Sequence, residues 1–358
     1  MQELPSKHRV QDAFDREARG ANIASVEVTG VFRLPQGHSN DTFVVEVEES
    51  GAAVARRYVV RRDIVHGITE PYDIPKEYRL LRALEATAVA APQVLWLQPD
   101  AREFGAPYYV MEFCRGVVAD ELYLSGDMSG LIGRDTIEGR RAKHRAYIHQ
   151  LATIHAVDWR KVGLGEMSRP AGFSFAGEPA DGTSDASCRA LDEWETRARQ
   201  ESIVVEPLLE EPLCWMRENM PATPRNVLLH GDCKLSNYMF DGDAVSGVLD
   251  WEWARIGDPM NDLAWALPKP DTILPEGFLS FDECCAEYEA ASGYAVDHAR
   301  LEFYYGIADL KIYAFAAAMG RLTRKGLTLD VRYPCLSASY TRPAAINFNA
   351  RFAGKLDC

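Results

Sequence analysis

Asp232, Asn237 and Asp250 lie beside apolar runs in the stretch LLHGDCKLSNYMFDGDAVSGVLDWE, residues 228–252. A carboxylate drawn toward an apolar interior costs free energy unless a cation, a proton or a donor compensates it. Mg²⁺ is a natural compensator: it takes hard oxygen ligands and is commonly held by one or two carboxylates plus substrate phosphates. Phosphoryl transfer needs such an ion, a carboxylate near the attacking hydroxyl, and donors that fix the phosphates. The D-x-x-x-x-N spacing from Asp232 to Asn237, with Asp250 thirteen residues further on, supplies those residue types in order. Between NYMF and AVSGVLD, the DGD turn signals a hairpin. Such a hairpin brings Asn237 and Asp250 to the same end of two paired strands, a geometry suited to a shared metal.

These residues need a scaffold, and the pattern of the chain changes character midway. Residues 7–19 read as a short amphipathic helix. Alternating or β-branched runs at 25–34, 41–49 and 55–62 read as strands, the first two separated by PQGHSN. IPKEYRLLRALEA (74–86) switches to helical spacing, with Leu80, Leu81 and Leu84 on one stripe and Glu77 turned inward beside them. QVLWLQP and APYYVMEFCRG (106–116) supply two more strands. Beyond Gly116 the spacing is helical: at 137–159, twice between 187 and 219, and near 260–267, 280–292, 297–319 and 331–340. The Gly/Pro/Ser-rich stretch 166–185 reads as an insertion near a site or a mobile cover. The expected architecture is α+β, with a β-rich N-terminal lobe at 1–114, a mainly helical C-terminal lobe at 115–358, and a hinge near 112–118.

The composition narrows the function further. A net charge of -14 on 358 residues argues against a nucleic-acid binder and against an electrostatic membrane anchor. No apolar run approaches the roughly 18 residues of a membrane span, and residues 1–20 lack the apolar core of a secretory signal. Eight cysteines with no C-x-x-C pair fit reduced thiols rather than a zinc cluster or a disulfide framework. A soluble, cytoplasmic protein is expected.

HGDCKLSN (230–237), VLDWE (248–252) and GDPMNDLA (257–264) together resemble the aminoglycoside phosphotransferase and choline kinase-like family. The likeness is strongest to the kinase-like domains fused to some acyl-CoA dehydrogenases. It extends to GHSNDTF, YVVRR, KEYRLL and YYVMEF, and so covers most of residues 25–270. The resemblance implies a protein kinase-like two-lobed fold with nucleotide between the lobes, and ATP and Mg²⁺ as cofactors. It makes Asp232 the catalytic residue that accepts the proton of a substrate hydroxyl, and Asn237 and Asp250 the metal ligands. His230, Asp258 and Asp262 read as structural, the two aspartates as helix caps. Cys233 reads as a packed thiol, and Trp251 and Trp253 as strand residues sharing a face.

On the nucleotide side, the resemblance lays Gly37, His38, Ser39 and Asn40 over the phosphates through their backbone N–H groups, although only one glycine is present. Arg61 falls where kinases carry lysine; its guanidinium can bind phosphate oxygens and pair with Glu77. In a strand register shifted by one, Arg62 takes that role. Met111, Glu112 and Cys114 line the adenine site, the last two through backbone groups. The activity implied is transfer of the γ-phosphoryl group of ATP to a hydroxyl of a small molecule: an aminoglycoside, an amino alcohol or a hydroxyacyl-type metabolite. The alternative is a catalytically silent nucleotide-binding module. A protein kinase is disfavoured, because GDPMNDLAWAL starts a helix where an activation loop would run.

Overall fold

Alternation in the first third of the chain builds an antiparallel sheet of β1 (Val26–Arg33), β2 (Asp41–Glu49), β3 (Arg56–Arg62), β4 (Val94–Gln98) and β5 (Tyr108–Glu112). The strands are ordered β1-β2-β3-β5-β4. The computed structural model describes residues 3–17, 26–34, 41–49, 55–64, 66–68, 72–119, 135–168, 186–202 and 207–353. The PQGHSN turn, including Gly37, His38, Ser39 and Asn40, and nearly all of the 166–185 stretch lie outside the described residues.

Side chains on a strand alternate between faces, and β3 uses both. Tyr58 and Val60 join a core with Phe43, Val45, Val47, Tyr108 and Val110, closed by Val10 and Phe14 of helix α1 (Lys7–Glu17). The Phe14 ring lies 5.6 Å from that of Tyr58 and 5.0 Å edge-on from that of Trp96. Val59 and Arg61 point the other way. There lies α2 (Ile74–Leu84), whose Leu80, Leu81 and Leu84 are buried as the sequence spacing requires. Asp73 caps α2 by accepting from Lys76 N at 2.9 Å, and Pro75 opens its first turn.

The chain divides into two compact units, Met1–Arg115 and Gly116–Cys358. The second is mainly helical: α3 (Ile137–His155), α4 (Ala186–Glu201), α5 (Glu210–Glu218), α6 (Pro259–Ala266), α7 (Phe281–Ser292), α8 (His298–Arg324) and α9 (Arg332–Phe352). Its strands are short. β6 (Val117–Val118), β8 (Tyr238–Asp241) and β9 (Ala244–Val248) form one sheet, and β7 (Val227–Leu229) pairs with β10 (Arg255–Gly257). Gly116 begins this unit with φ +113°, and a Cβ there would lie 2.5 Å from the Phe240 carbonyl oxygen, so only glycine fits.

Helix α9 runs well past the segment its sequence suggests, through Pro343, to Phe352. Proline ordinarily ends a helix. Here burial of Ala344, Ala345, Phe348 and Phe352 outweighs the lost backbone bond. Among the described residues no helix is long and apolar enough to cross a membrane.

Candidate functional site

The second unit carries the HGD segment on a loop leaving β7. This loop has little regular structure of its own, so polar contacts must hold its shape. Asp262, in the first turn of α6, accepts from His230 N at 2.7 Å and from Gly231 N at 2.9 Å. Its Oδ2 also meets His155 Nε2 at 3.3 Å, while His155 Nδ1 contacts the Tyr288 hydroxyl at 2.8 Å. Burial pushes the Asp262 pKa up, but the His155 contact and the His230 N–H outweigh it and keep the carboxyl below its ordinary range. The expectation that both Asp258 and Asp262 are helix caps is half corrected. Asp258 does cap α6, accepting from Met260 N at 2.9 Å, whereas Asp262 is spent on the loop.

His230 ties the loop to the segment after β9. Its Nε2 donates to Leu249 O at 2.9 Å, and its Nδ1 accepts from Asp232 N at 3.2 Å. That pair of bonds fits a neutral imidazole, and burial drives its pKa down accordingly. Leu249 N in turn donates to Asn237 O at 2.8 Å, extending the β8–β9 pairing by one step. Asn237 and Leu249 are thereby clamped together, with Asp250 the next residue along. Asp250 has φ 66°, the only non-glycine among the described residues with positive φ. Aspartate tolerates this left-handed conformation better than most side chains.

Asp232 and Asn237 touch. Asn237 Nδ2 donates to Asp232 Oδ2 at 3.0 Å and to Asp232 O at 2.7 Å. This commits the Nδ2 side of the amide to Asp232 and leaves its carbonyl Oδ1 for other partners. The other Asp232 oxygen, Oδ1, accepts from Trp265 Nε1 at 2.9 Å. Lys234 Nζ lies 3.7 Å from Oδ2 and Lys311 Nζ 3.9 Å from Oδ1. Burial alone would raise the Asp232 pKa; the charges of Lys311 and Lys234 reverse that and leave it lowered, so it is ionised at neutral pH. Cys233 is fully buried, its Sγ 3.2 Å from Asp262 O, and burial pushes its thiol far up.

Sequence reasoning missed Trp265, Lys311 and the loop-holding part of Asp262. Lys311 did leave a signal. It is a lone cation on an α8 stripe with Tyr304, Ile307, Ala314 and Ala318, all buried, so its own burial follows from helical spacing. Trp251 and Trp253 correct another expectation. They lie on a 3₁₀ turn, not a strand, and do not share a face: Trp251 packs 4.5 Å from the His230 ring and Trp253 5.1 Å from that of Trp194. The left-handed Asp250 ends the extended backbone before them.

The first unit carries the remaining candidates. Arg61 Nε meets Glu77 Oε2 at 3.1 Å, and both side chains are buried. Arg62 points into the opposite face, where its Nε donates to Asp41 Oδ2 at 3.1 Å and its Nη1 to Phe104 O at 2.7 Å. The structure therefore pairs Arg61, not Arg62, with Glu77. Met111 is buried at the end of β5, cross-strand from Val59. Glu112 is exposed, and its N–H is already engaged with Gln93 O at 2.9 Å. Cys114 is half-buried, and burial followed by the Glu112 charge pushes its thiol up to about 11, so it is an inert thiol.

Residues 31–304 match the phosphotransferase enzyme family, and the chain belongs to it. A "Probable acyl-CoA dehydrogenase IBR3" of Arabidopsis thaliana is 29% identical over 83% of this chain, but the match spans only 38% of that relative's own length. The structure of a "putative aminoglycoside phosphotransferase" from Ralstonia eutropha superposes with TM-score 0.70 at 20% identity, covering 97% of this chain and 98% of that one. The aminoglycoside phosphotransferase APH(4)-Ia, in a ternary complex with ADP and hygromycin B, gives TM-score 0.58 at 16% identity, covering 96% and 98%. The fold is thus the kinase-like fold of the aminoglycoside phosphotransferases.

Proposed function

We propose that this chain is a Mg²⁺-dependent phosphotransferase that moves the γ-phosphoryl group of ATP to a hydroxyl of a small molecule. The observation that carries the reading is the Asp232–Asn237 contact, with Asp250 delivered one residue beyond the Asn237–Leu249 clamp. The ionised Asp232 carboxylate orients the acceptor hydroxyl and takes its proton as the oxygen–phosphorus bond forms and the bond to ADP breaks. In a loose transition state this proton leaves late, so orientation matters as much as basicity.

Asn237 Oδ1 and Asp250 are the groups that would hold Mg²⁺. Among the described residues no cluster of three or more His, Cys, Asp and Glu side chains is placed to hold a metal. Two protein oxygens completed by phosphates and water suit Mg²⁺, which rarely has an all-protein cage. When bound, Mg²⁺ neutralises charge on the phosphates. In the N-terminal unit, the Arg61 guanidinium, held by Glu77, would bind phosphate oxygens. The engaged Glu112 N–H leaves backbone donation to adenine to the residues after it, such as Cys114.

The surroundings of Asp232 are rich in charge. Lys234 and Lys311 approach its carboxylate, while Arg197 and Arg255 both pair with Glu193, Arg197 at 3.4 Å. Asp262 also acts on Lys311 and Glu201 on Arg197, so the charges around Asp232 are close to balanced and do not by themselves choose the acceptor. A hydroxyl compound of hydroxyacyl type is the acceptor favoured by the likeness of the sequence motifs to kinase-like domains fused to acyl-CoA dehydrogenases. The relative named as an acyl-CoA dehydrogenase points the same way. The Asp232–Asn237 contact supports this reading over a catalytically silent module. The deciding experiment follows ADP release from MgATP against pools of hydroxy acids, hydroxyacyl thioesters, amino alcohols and aminoglycosides. Release no greater than that of the Asp232→Asn variant with every pool would refute the proposal.

A further inference from the structure

Lys311 is given no step in the transfer described above, yet it is only 4% exposed. A buried ammonium is costly, and a methionine of similar length would fill the same space without that cost. Its surroundings are specific. Nζ donates to Gly231 O at 2.6 Å and lies 3.9 Å from Asp232 Oδ1. It sits 4.0 Å from the centre of the Trp265 ring, with Phe315 at 5.5 Å and Trp194 at 5.6 Å. Trp265 is the residue that donates to Asp232 Oδ1. One cation therefore touches the backbone before Asp232, stacks on the indole that holds one Asp232 oxygen, and faces that oxygen.

The Gly231 backbone has to be held in place. Its φ is +81°, and a Cβ there would lie 2.3 Å from Trp253 O. The turn that aims Asp232 is thus a conformation closed to other residues, fixed on its N–H side by Asp262 and on its carbonyl side by Lys311.

We propose that Lys311 is a positioning residue for phosphoryl transfer, pinning the Gly231 carbonyl and balancing the Asp232 carboxylate so that Asp232 meets the acceptor hydroxyl in a single orientation. The proposal rests on the phosphotransferase reading for its catalytic consequence, though not for the pairing itself. Asp232 Oδ2 is held separately, by Asn237 and near Lys234. Loss of Lys311 therefore removes the cation from one side of the carboxylate, leaving Trp265 as the donor there, and keeps the proposed metal-binding side in place. Misplacement of a reacting group by about an ångström costs on the order of 10²-fold in rate.

The test is a double-mutant cycle between Lys311→Met and Asp232→Asn on the full chain, read in two ways. The first readout is ADP release from saturating MgATP, with water and with the hydroxy-acid pool as acceptors. Lys311→Met is expected to lower kcat about 10²-fold while leaving KM for ATP within about twofold, and Lys311→Arg is expected to recover part of the loss. Lys311→Met should slow the Asp232→Asn protein no further, since a residue acting through Asp232 has nothing left to act on. Losses that multiply, or a Lys311→Met protein as fast as wild type, overturn the proposal.

The second readout is the urea midpoint, which needs no acceptor. The double variant, with neither charge left unpaired, should be more stable than the two single losses sum to; simple additivity overturns the pairing. Should Lys311→Met alone fail to fold, the double variant is expected to fold, and its failure assigns Lys311 to packing. A wild type without turnover refutes the phosphotransferase reading but leaves the urea cycle to judge the pair.

Discussion

The two units place charge by different means. In the N-terminal unit, Arg61 is set by strand alternation and Glu77 by helical spacing, and one ion pair joins the two elements. In the C-terminal unit, Asp232 stands on a loop whose course depends on a buried network of Asp262, His155, His230 and Leu249. Regular elements satisfy their own backbone groups, so a side chain mounted on them needs only a partner. A loop has unsatisfied N–H and C=O groups, and side chains must supply what the backbone lacks. Charges in the first unit should therefore be replaceable in pairs, whereas Asp262, which serves several partners at once in the second, should not be.

Asp262→Ala tests this most severely. It leaves the N–H groups of His230 and Gly231 and the His155 ring without their acceptor in a buried setting. The expected loss is about 3–5 kcal/mol, measured by urea unfolding. A loss below about 1 kcal/mol would mean that the loop holds itself.

The units should also respond to pH in opposite directions. His144 is buried in the C-terminal unit, where its Nδ1 accepts from Leu279 N at 2.9 Å, and burial pushes its pKa down to about 4. Its folded value lies below its unfolded value near 6.5. The stability it contributes is present above that pH and is lost as pH falls toward 4, by roughly 3 kcal/mol; the lowered pKa of His230 acts in the same direction. In the N-terminal unit, burial and then the charges of Glu77 and Asp73 raise Asp63 to about 7, against the pull of Arg61. That unit should gain stability as pH falls from 7 toward 4, by less, because Asp63 is partly exposed. Hydrogen exchange resolved by unit and corrected for intrinsic rates checks both signs, and Asp63→Asn should flatten the N-terminal response.

Smaller effects sharpen the comparison. MgATP at about 100 times its Kd should stabilise the wild type by roughly 2.7 kcal/mol, with most of the metal-dependent part lost in Asp250→Ala. Equal melting shifts in the two proteins would remove Asp250 from the metal site. The paired replacement Arg61→Met/Glu77→Leu should change stability by no more than about 1 kcal/mol while weakening ATP binding. A large loss of stability would show that this pair, too, is part of a wider network.

What the sequence disclosed follows the same division. Strand alternation and the helical stripe of α2 were legible because each is periodic, and they led to Arg61 and Glu77. The spacing of Asp232, Asn237 and Asp250 was legible because a hairpin turn lies between the last two. The register choice between Arg61 and Arg62 was not, since both positions of β3 carry arginine and both are buried; only Asp41 and Phe104 on the opposite face separate them. Asp262 looked like a cap because its position in the first turn of α6 fits one, whereas its partners lie some thirty residues earlier in the chain. Trp265 and Lys311 meet Asp232 only through the packing of α6 and α8, which no local pattern encodes. The helix expected near 331–340 fell short of the end of α9, which burial against its neighbours carries through Pro343 to Phe352.

The central claim is that Asp232 serves transfer and not nucleotide binding. Asp232→Asn keeps the shape of the side chain and removes its charge. Titration of MgATP binding beside turnover with the best acceptor tests the claim directly. The account predicts ATP affinity within about twofold of wild type and turnover slowed on the order of 10²- to 10⁴-fold. Near-normal turnover in a folded Asp232→Asn protein would contradict it.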